Sequence, residues 1–453
     1  MLATSQPWPT CLHKSSAPSM STIAPPVRVV VVGASFAGRR VKLLLDKQPN
    51  FVCTLIDAKD FFEYTPSVLR CLVEPKHAHS ILVSLQDVAT QALVTGVDTG
   101  TGTVQLANGQ QLPYDYLVFA TGSSYASPIK PHHTVDPTSP HQEVNRTARL
   151  RALEAAAEQL RAAASVVVVG GGTVGVELAA EVAGHYGFGK KVTLICSDDR
   201  LLARMPLLAS TKAVHWLEAQ GVEVLLGQRV ATWPKGAMSH AVPGTVLTSA
   251  GRSITADLVY NCTGVGAGGL NTELYSMITK GAVEEGGGGG GQGALADKLR
   301  RKGVPVEPTL QVKGFPRIYA CGDVADLPFE RCSLSADMGA TCVAANIQKA
   351  VAGQPQLPFP GAAVPLCPGA TAPPTVASVS LYKWDGVMQF QDLVITGPMS
   401  AIAKSSIERF QLALAVSSGS LLGRLWLLSE AVTTTLGAWW PRRVLPTVAV
   451  ALA

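Results

Sequence analysis

Val166–Glu181 reads VVVVGGGTVGVELAAE, and this stretch decides the fold. Four consecutive valines make the pattern of a strand buried on both faces, the kind a parallel sheet requires. They run into Gly170, Gly172 and Gly175, a G-x-G-x-x-G, and the chain then takes a helical apolar period through Val176, Leu178, Ala179 and Val182. In a dinucleotide fold the first glycine makes the tight turn and the second lets the backbone approach a pyrophosphate. The third packs the helix against the sheet. The helix N-terminus adds unpaired N–H groups and a positive dipole end for the phosphates.

The stretch has a twin. Residues 28–45 read RVVVVGASFAGRRVKLLL, again a buried strand, a Gly33-x-Ser35-x-x-Gly38 turn and an apolar helix start. Two such units in one chain point to two bound dinucleotides. Phe51–Asp57, FVCTLID, reads as the second strand of the first unit, ending on Asp57. A carboxylate about 20 residues beyond the fingerprint can bond a ribose hydroxyl pair. In the second unit, Lys190–Ile195 is the matching strand, and the corresponding terminal residue is Cys196. A carboxylate about 4 Å from a 2′-phosphate would repel it by roughly 4 kcal/mol at an effective dielectric near 20. Cys196 lacks that penalty and Arg200 is near in sequence. The second site is therefore expected to accept NADPH at least as well as NADH.

Composition narrows the field. A chain of 453 residues holds two or three domains, and its net charge of +5 comes without any Lys/Arg cluster interleaved with aromatics, so nucleic acid is not an expected partner. The nine cysteines include no C-x-x-C, which argues against a zinc site or a disulfide framework and suits a reducing compartment. No apolar run reaches the length of a spanning helix. His77/His79 and His132/His133 read as loop histidines, and no metal is expected. Residues 1–26, free of acids, read as a disordered leader, with an organelle transit peptide as the alternative.

Between the fingerprints, residues 92–119 alternate and turn, with Asn108-Gly109 as a hairpin signal, and deliver a strand into Thr121-Gly122. A proline-broken connector (130–147) and a helix over 148–163 lead to the second unit. That unit closes on Cys262-Thr263-Gly264. Residues 281–303, with Gly286–Gly291 unbroken, read as a flexible insertion. Pro316–Asp323, PRIYACGD, is a short buried strand ending on Gly322-Asp323, followed by a helix from about 335 to 351. Past 400, Leu421, Leu425 and Leu428 share a helical face that Leu422 and Trp426 widen, before Trp439-Trp440-Pro441-Arg442-Arg443. Such a tail suits a membrane surface; docking on the protein's own core or on a second subunit of a homodimer suits it equally.

In the order GASFAG, ATG (Ala120–Gly122), GGGTVG, CTG and ACGD, the chain resembles the two-dinucleotide-binding-domain flavoproteins over residues 27–350. The resemblance implies an α/β fold of two Rossmann-like domains, the NAD(P) domain inserted in the FAD domain, and a smaller C-terminal α+β region. The expected bounds are 27–145 and 265–350 for FAD, 146–264 for NAD(P), and 351–453 for the C-terminal region with its amphipathic tail. FAD would lie on Gly33, Ser35, Gly38 and Asp57, with Thr121, Gly122, Gly322 and Asp323 beside it. NAD(P)H would lie on Gly170, Gly172, Gly175, Glu177 and Gly264. FEYTPSVLR, GVELAAE and Asp385–Gln389 (DGVMQ) look most like the ferroptosis-suppressor and apoptosis-inducing-factor-like NAD(P)H:quinone oxidoreductases. The family's lysine before a serine matches Lys404-Ser405, which implies a catalytic place for Lys404 near flavin or quinone. A solvated helix lysine is the competing reading.

No C-x4-C follows the first fingerprint helix, so the flavin and not a disulfide is expected to carry the reaction. A quinone needs only an apolar slot, for which Phe61, Phe62, Tyr64 and the C-terminal segment are candidates. A non-turnover NAD(P)H sensor and a ferredoxin or monodehydroascorbate reductase share the same motifs. The expected location is cytoplasmic with peripheral membrane attachment, or else a plastid or mitochondrion.

Overall fold

The computed structural model describes residues 25–131, 144–264, 273–279, 302–363, 372–417, 419–439 and 449–451. Most of the leader, His132/His133, the glycine run Gly286–Gly291 and Trp440–Arg443 lie outside them. Each valine run becomes the inner strand of a six-stranded sheet. The first sheet runs in the order Gln311–Val312, Phe315–Ala320, Tyr116–Phe119, Val27–Val32, Phe51–Asp57, Thr90–Gln91. Val27–Val32 pairs in parallel with both of its neighbours. The second sheet runs Glu223–Leu225, Lys191–Ile195, Ser165–Val169, Ser253–Asn261, Val242–Thr248, Val230–Thr232.

Strands from before and after the second unit share the first sheet, so the second dinucleotide unit is inserted in the first, as the resemblance implied.

The valine runs do what an uninterrupted apolar strand must. Successive side chains point to opposite faces, so Val29 and Val31 enter one core while Val30 and Val32 enter another. In the second unit Val166 and Val168 join the first of these cores, and Val167 and Val169 fill a third. The expected meander forms a separate sheet of Val94–Asp98, Thr103–Leu106 and Gln111–Pro113. The helix before the second unit spans Arg146–Ala162, starting two residues earlier than the apolar period suggests. Asn145 accounts for this by accepting a hydrogen bond from the Ala148 N–H at 2.8 Å.

The C-terminal region opens with the antiparallel strands Val376–Leu381, Asp385–Phe390 and Leu393–Thr396. Two helices follow, Pro398–Val416 and Leu421–Trp439, bent by 119° between them. The second of these helices is inside out. Gly423, Glu430, Thr434 and Gly437 are buried, while Leu421, Leu425, Leu428, Val432 and Leu436 are exposed. Its polar face is docked on the protein: Glu430 pairs with Arg40 of the first fingerprint helix at 3.4 Å, and Gln391 Nε2 donates to the Gly437 carbonyl. No single described helix is long and apolar enough to cross a membrane.

Candidate functional site

Both fingerprints lie where their strands end, at the carboxyl edge of each sheet, where open α/β folds bind ligands. In the first, Gly33 takes φ +105°, and a Cβ there would stand 2.4 Å from the Ala120 carbonyl oxygen. A Cβ on Gly38 would stand 1.8 Å from the oxygen of Gly33, so helix Phe36–Leu45 and the turn touch backbone to backbone. Ser35 is the helix N-cap, yet its side chain makes no capping bond, leaving the hydroxyl available beside the N-terminal amides. Asp57 is buried and accepts from the amides of Ala34 (2.7 Å) and Lys59 (2.9 Å), which fixes its carboxylate against the same turn.

Thr121 and Gly122 follow the adjacent strand, and a Cβ on Gly122 would meet no protein atom within 4 Å. Gly322-Asp323 forms a tight turn after Phe315–Ala320, and a Cβ on Gly322 would lie 3.2 Å from Ala37 of the first fingerprint helix. The structure thus brings Gly33, Ser35, Gly38, Asp57, Thr121, Gly122, Gly322 and Asp323 to one edge of one sheet. A pair absent from the sequence reading joins them. Ser123 Oγ donates to Asp323 at 2.6 Å, and Lys130 Nζ lies 2.7 Å from that oxygen and 2.9 Å from the Ser123 carbonyl. Burial lowers the Lys130 pKa and Asp323 opposes the shift. The one hint in the sequence was that Ser123 directly follows Thr121-Gly122.

The second fingerprint repeats the geometry. A Cβ on Gly170 would stand 2.3 Å from the Cys262 carbonyl oxygen, and one on Gly175 only 1.9 Å from the oxygen of Gly170. Gly172 and Gly264 face open space, the room a bound phosphate chain needs. Cys196 is buried, and its Sγ occupies the place a side chain on Gly171 would take. Arg200 is not poised for a 2′-phosphate. Its guanidinium donates to the carbonyls of Met205, at 2.9 Å, and Ala203, so its charge is turned into its own loop.

Glu177 lies in the first turns of helix Thr173–Tyr186. Its carboxylate faces the C-terminal region, accepting from Ser380 N (2.9 Å) and Ser380 Oγ (3.3 Å) and pairing with Lys404 Nζ. The side chain of Lys404 is only 17% exposed and also reaches Ser380 Oγ at 2.7 Å, so it is no solvated helix lysine. Pro66, Leu69, Tyr382 and Ala401 supply the apolar lining of the crevice that holds this pair. Phe61, Phe62 and Tyr64 do not form a slot. All three are core residues, with Phe36 edge-on to Phe62 at 5.2 Å between centroids and Arg39 over the Phe62 ring.

No disulfide joins the described thiols. Cys53, Cys71, Cys196, Cys262, Cys321, Cys332 and Cys342 are all free. Burial pushes Cys53, Cys71, Cys262 and Cys342 up to about 12, far from the thiolate form. His77 lies 3.3 Å from Glu408, and among the described residues no group of three or more His, Cys, Asp or Glu could hold a metal ion.

Residues 27–353 match the family described as pyridine nucleotide-disulphide oxidoreductase. The chain is 30% identical over 388 residues to ferroptosis suppressor protein 1 of Taeniopygia guttata, covering 84% of this chain and 92% of that protein. It is 27% identical over 409 residues to apoptosis-inducing factor homolog A of Dictyostelium discoideum, covering 85% and 91%. In fold it is similar to the sulfide:quinone oxidoreductase of Aquifex aeolicus, with TM-score 0.63 and 16% identity over 91% of this chain and 93% of that one. The chain belongs to the pyridine nucleotide-disulphide oxidoreductase family and is an FAD- and NAD(P)H-dependent oxidoreductase.

Proposed function

We propose that the protein oxidises NAD(P)H and reduces a quinone-type acceptor held in the crevice of Glu177 and Lys404. The observation that carries this reading is the pair itself, largely buried beside apolar side chains. No C-x4-C follows the first fingerprint helix to take the electrons, so they pass from the flavin to an external acceptor, and a planar apolar one suits such a lining. Residues 27–145 with 265–350 would hold FAD and 146–264 the nicotinamide nucleotide. FAD supplies the acceptance of a hydride and the release of two electrons.

The chain's own residues bind and orient. The amides at Ser35 and Gly172 receive phosphates, and Asp57 receives a ribose. Asp323, held by Ser123, which Lys130 fixes in turn, closes the far side of the flavin site. Lys404 Nζ presents a positive charge where negative charge gathers on a reduced acceptor, while Glu177 and Ser380 hold it in place.

Purified protein carrying FAD should turn over many equivalents of NADH or NADPH once a short-chain quinone is added. A rate no higher than the oxygen background defeats the quinone reading, and a pure, folded protein that takes up no flavin defeats the cofactor reading too. Lys404→Ala tests the crevice, with quinone turnover expected to fall by about 10²-fold.

The exposed leucine face of Leu421–Trp439 suits a lipid surface, from which such an acceptor would come. Its inner face is already docked, so the outer stripe is left for the bilayer. Leu425→Ser with Leu428→Ser should keep the fold and abolish flotation with liposomes. A variant that still floats removes the tail from the proposal.

A further inference from the structure

Glu181 lies one helical turn beyond Glu177 on helix Thr173–Tyr186 and lines the same crevice. Its side chain is 4% exposed. Oε1 is 3.4 Å from Arg70 Nη2, whereas Oε2 has no hydrogen-bond partner. Arg70 Nε is also without one. A carboxylate buried with one oxygen unmatched is disfavoured in its charged form, and a proton on Oε2 removes that charge.

The charged groups acting on Glu181 come from three elements: Arg70 from the Val68–Cys71 turn, Lys404 from helix Pro398–Val416, and Glu177 from its own helix. Glu408 and Lys383 line the same crevice. Burial is the largest influence and raises the Glu181 carboxyl. Arg70 and Lys404 oppose the shift, and Glu177 adds to it. Lys404 is in direct contact with Glu177 and Ser380, so the long Arg70 contact is the one ion pair that Glu181 makes with a cation.

Reduction of a quinone to a hydroquinone takes two electrons and two protons, and a hydride from NAD(P)H brings two electrons and only one proton. We propose that Glu181 supplies the second proton from Oε2 to the acceptor in the crevice, an inference that rests on the crevice being the acceptor site. The O–H bond at Oε2 breaks as an O–H bond forms on the acceptor oxygen. Arg70 and Lys404 hold the resulting carboxylate until water at the crevice mouth returns a proton to it.

The test compares the holoenzyme with E181Q and E181D, using a short-chain quinone and, separately, ferricyanide, which takes electrons without protons. In E181Q the ratio of quinone to ferricyanide turnover should fall by about 10²-fold, and E181D should largely restore it. Infrared spectra of the unmutated holoenzyme at neutral pH should show a protonated carboxyl stretch that E181Q lacks. A ratio unchanged in E181Q, or no such carboxyl signal, overturns the proposal. If the unmutated protein reduces ferricyanide but no quinone, the acceptor assignment fails instead. The carboxyl signal then decides by itself whether Glu181 stores a proton.

Discussion

The two fingerprints share one backbone and differ in what closes it. In both, the third glycine presses on the carbonyl of the first, at a distance no Cβ tolerates, so turn and helix geometry are common property. In the first unit, the second strand ends on Asp57, whose carboxylate is tied to the turn through the Ala34 amide. In the second, the strand ends on Cys196, a thiol packed beneath Gly171 that offers a ribose no charge. The middle position differs too, Ser35 against Gly172. The lesson is that the glycines build the same cradle twice, and the two differ in the residue that closes it. The C-terminal region ties down both helices: Arg39 donates to the Ala415 carbonyl and Arg40 pairs with Glu430, while Glu177 holds Ser380 and Lys404.

The sharpest way to break this comparison is to fill the two cradles in turn. Gly38→Ala and Gly175→Ala each demand a shift that costs about 1–3 kcal/mol or more. The first should empty the protein of flavin; the second should keep flavin and lose its bleaching by NAD(P)H. Flavin content and bleaching rate report the two effects, and identical phenotypes would mean that the cradles do not hold separate ligands. Next in size, Asp57→Ala removes two charge-assisted bonds, each worth roughly 1.5–3 kcal/mol, and should weaken flavin retention measured by titration. Cys196→Asp should then make the second unit resemble the first, raising KM for NADPH over that for NADH by about tenfold or more. Equal KM changes for both nucleotides would show that this position does not meet the ribose.

The smallest effect concerns the clamp on the first helix. Burial, then Glu430, raise the Asp337 carboxyl well above its ordinary range, and burial raises Glu430 in turn. A folded-state pKa raised in this way stabilises the protein below the unfolded pKa, near 4, and the gain is lost as pH rises toward the folded value. Asp337→Asn should remove that share of the slope. Its melting temperature should exceed that of the unmutated protein by a few degrees at high pH and not at low pH. A parallel pair of melting curves would show that the two acids are not held neutral.

Both dinucleotide units could be read from local pattern, because four valines in a row bury both faces only inside a parallel sheet and the glycine spacing follows at once. Asp57 could be found by counting from Gly38. Ser123 and the Lys130 behind it could not, since Asp323, which Ser123 bonds, is far along the chain and only the neighbouring strands bring them together. Arg200 misled for a related reason: nearness in sequence to the ribose position said nothing about the carbonyls of Ala203 and Met205, which claim its guanidinium. Phe61, Phe62 and Tyr64 looked like a quinone slot because aromatic composition does not distinguish a lining from a core.

Sequence alone determined the pair of cradles and their order, because strand burial and glycine turns are imposed over a few residues, while the insertion of one unit in the other came from the family resemblance and was seen in the shared sheet. Only the tertiary structure decided that Glu177 serves the C-terminal crevice, that Glu181 stands there with an oxygen unmatched, and that the last helix turns its leucines outward. Those outcomes depend on which distant charge reaches a side chain first, and no local period records that.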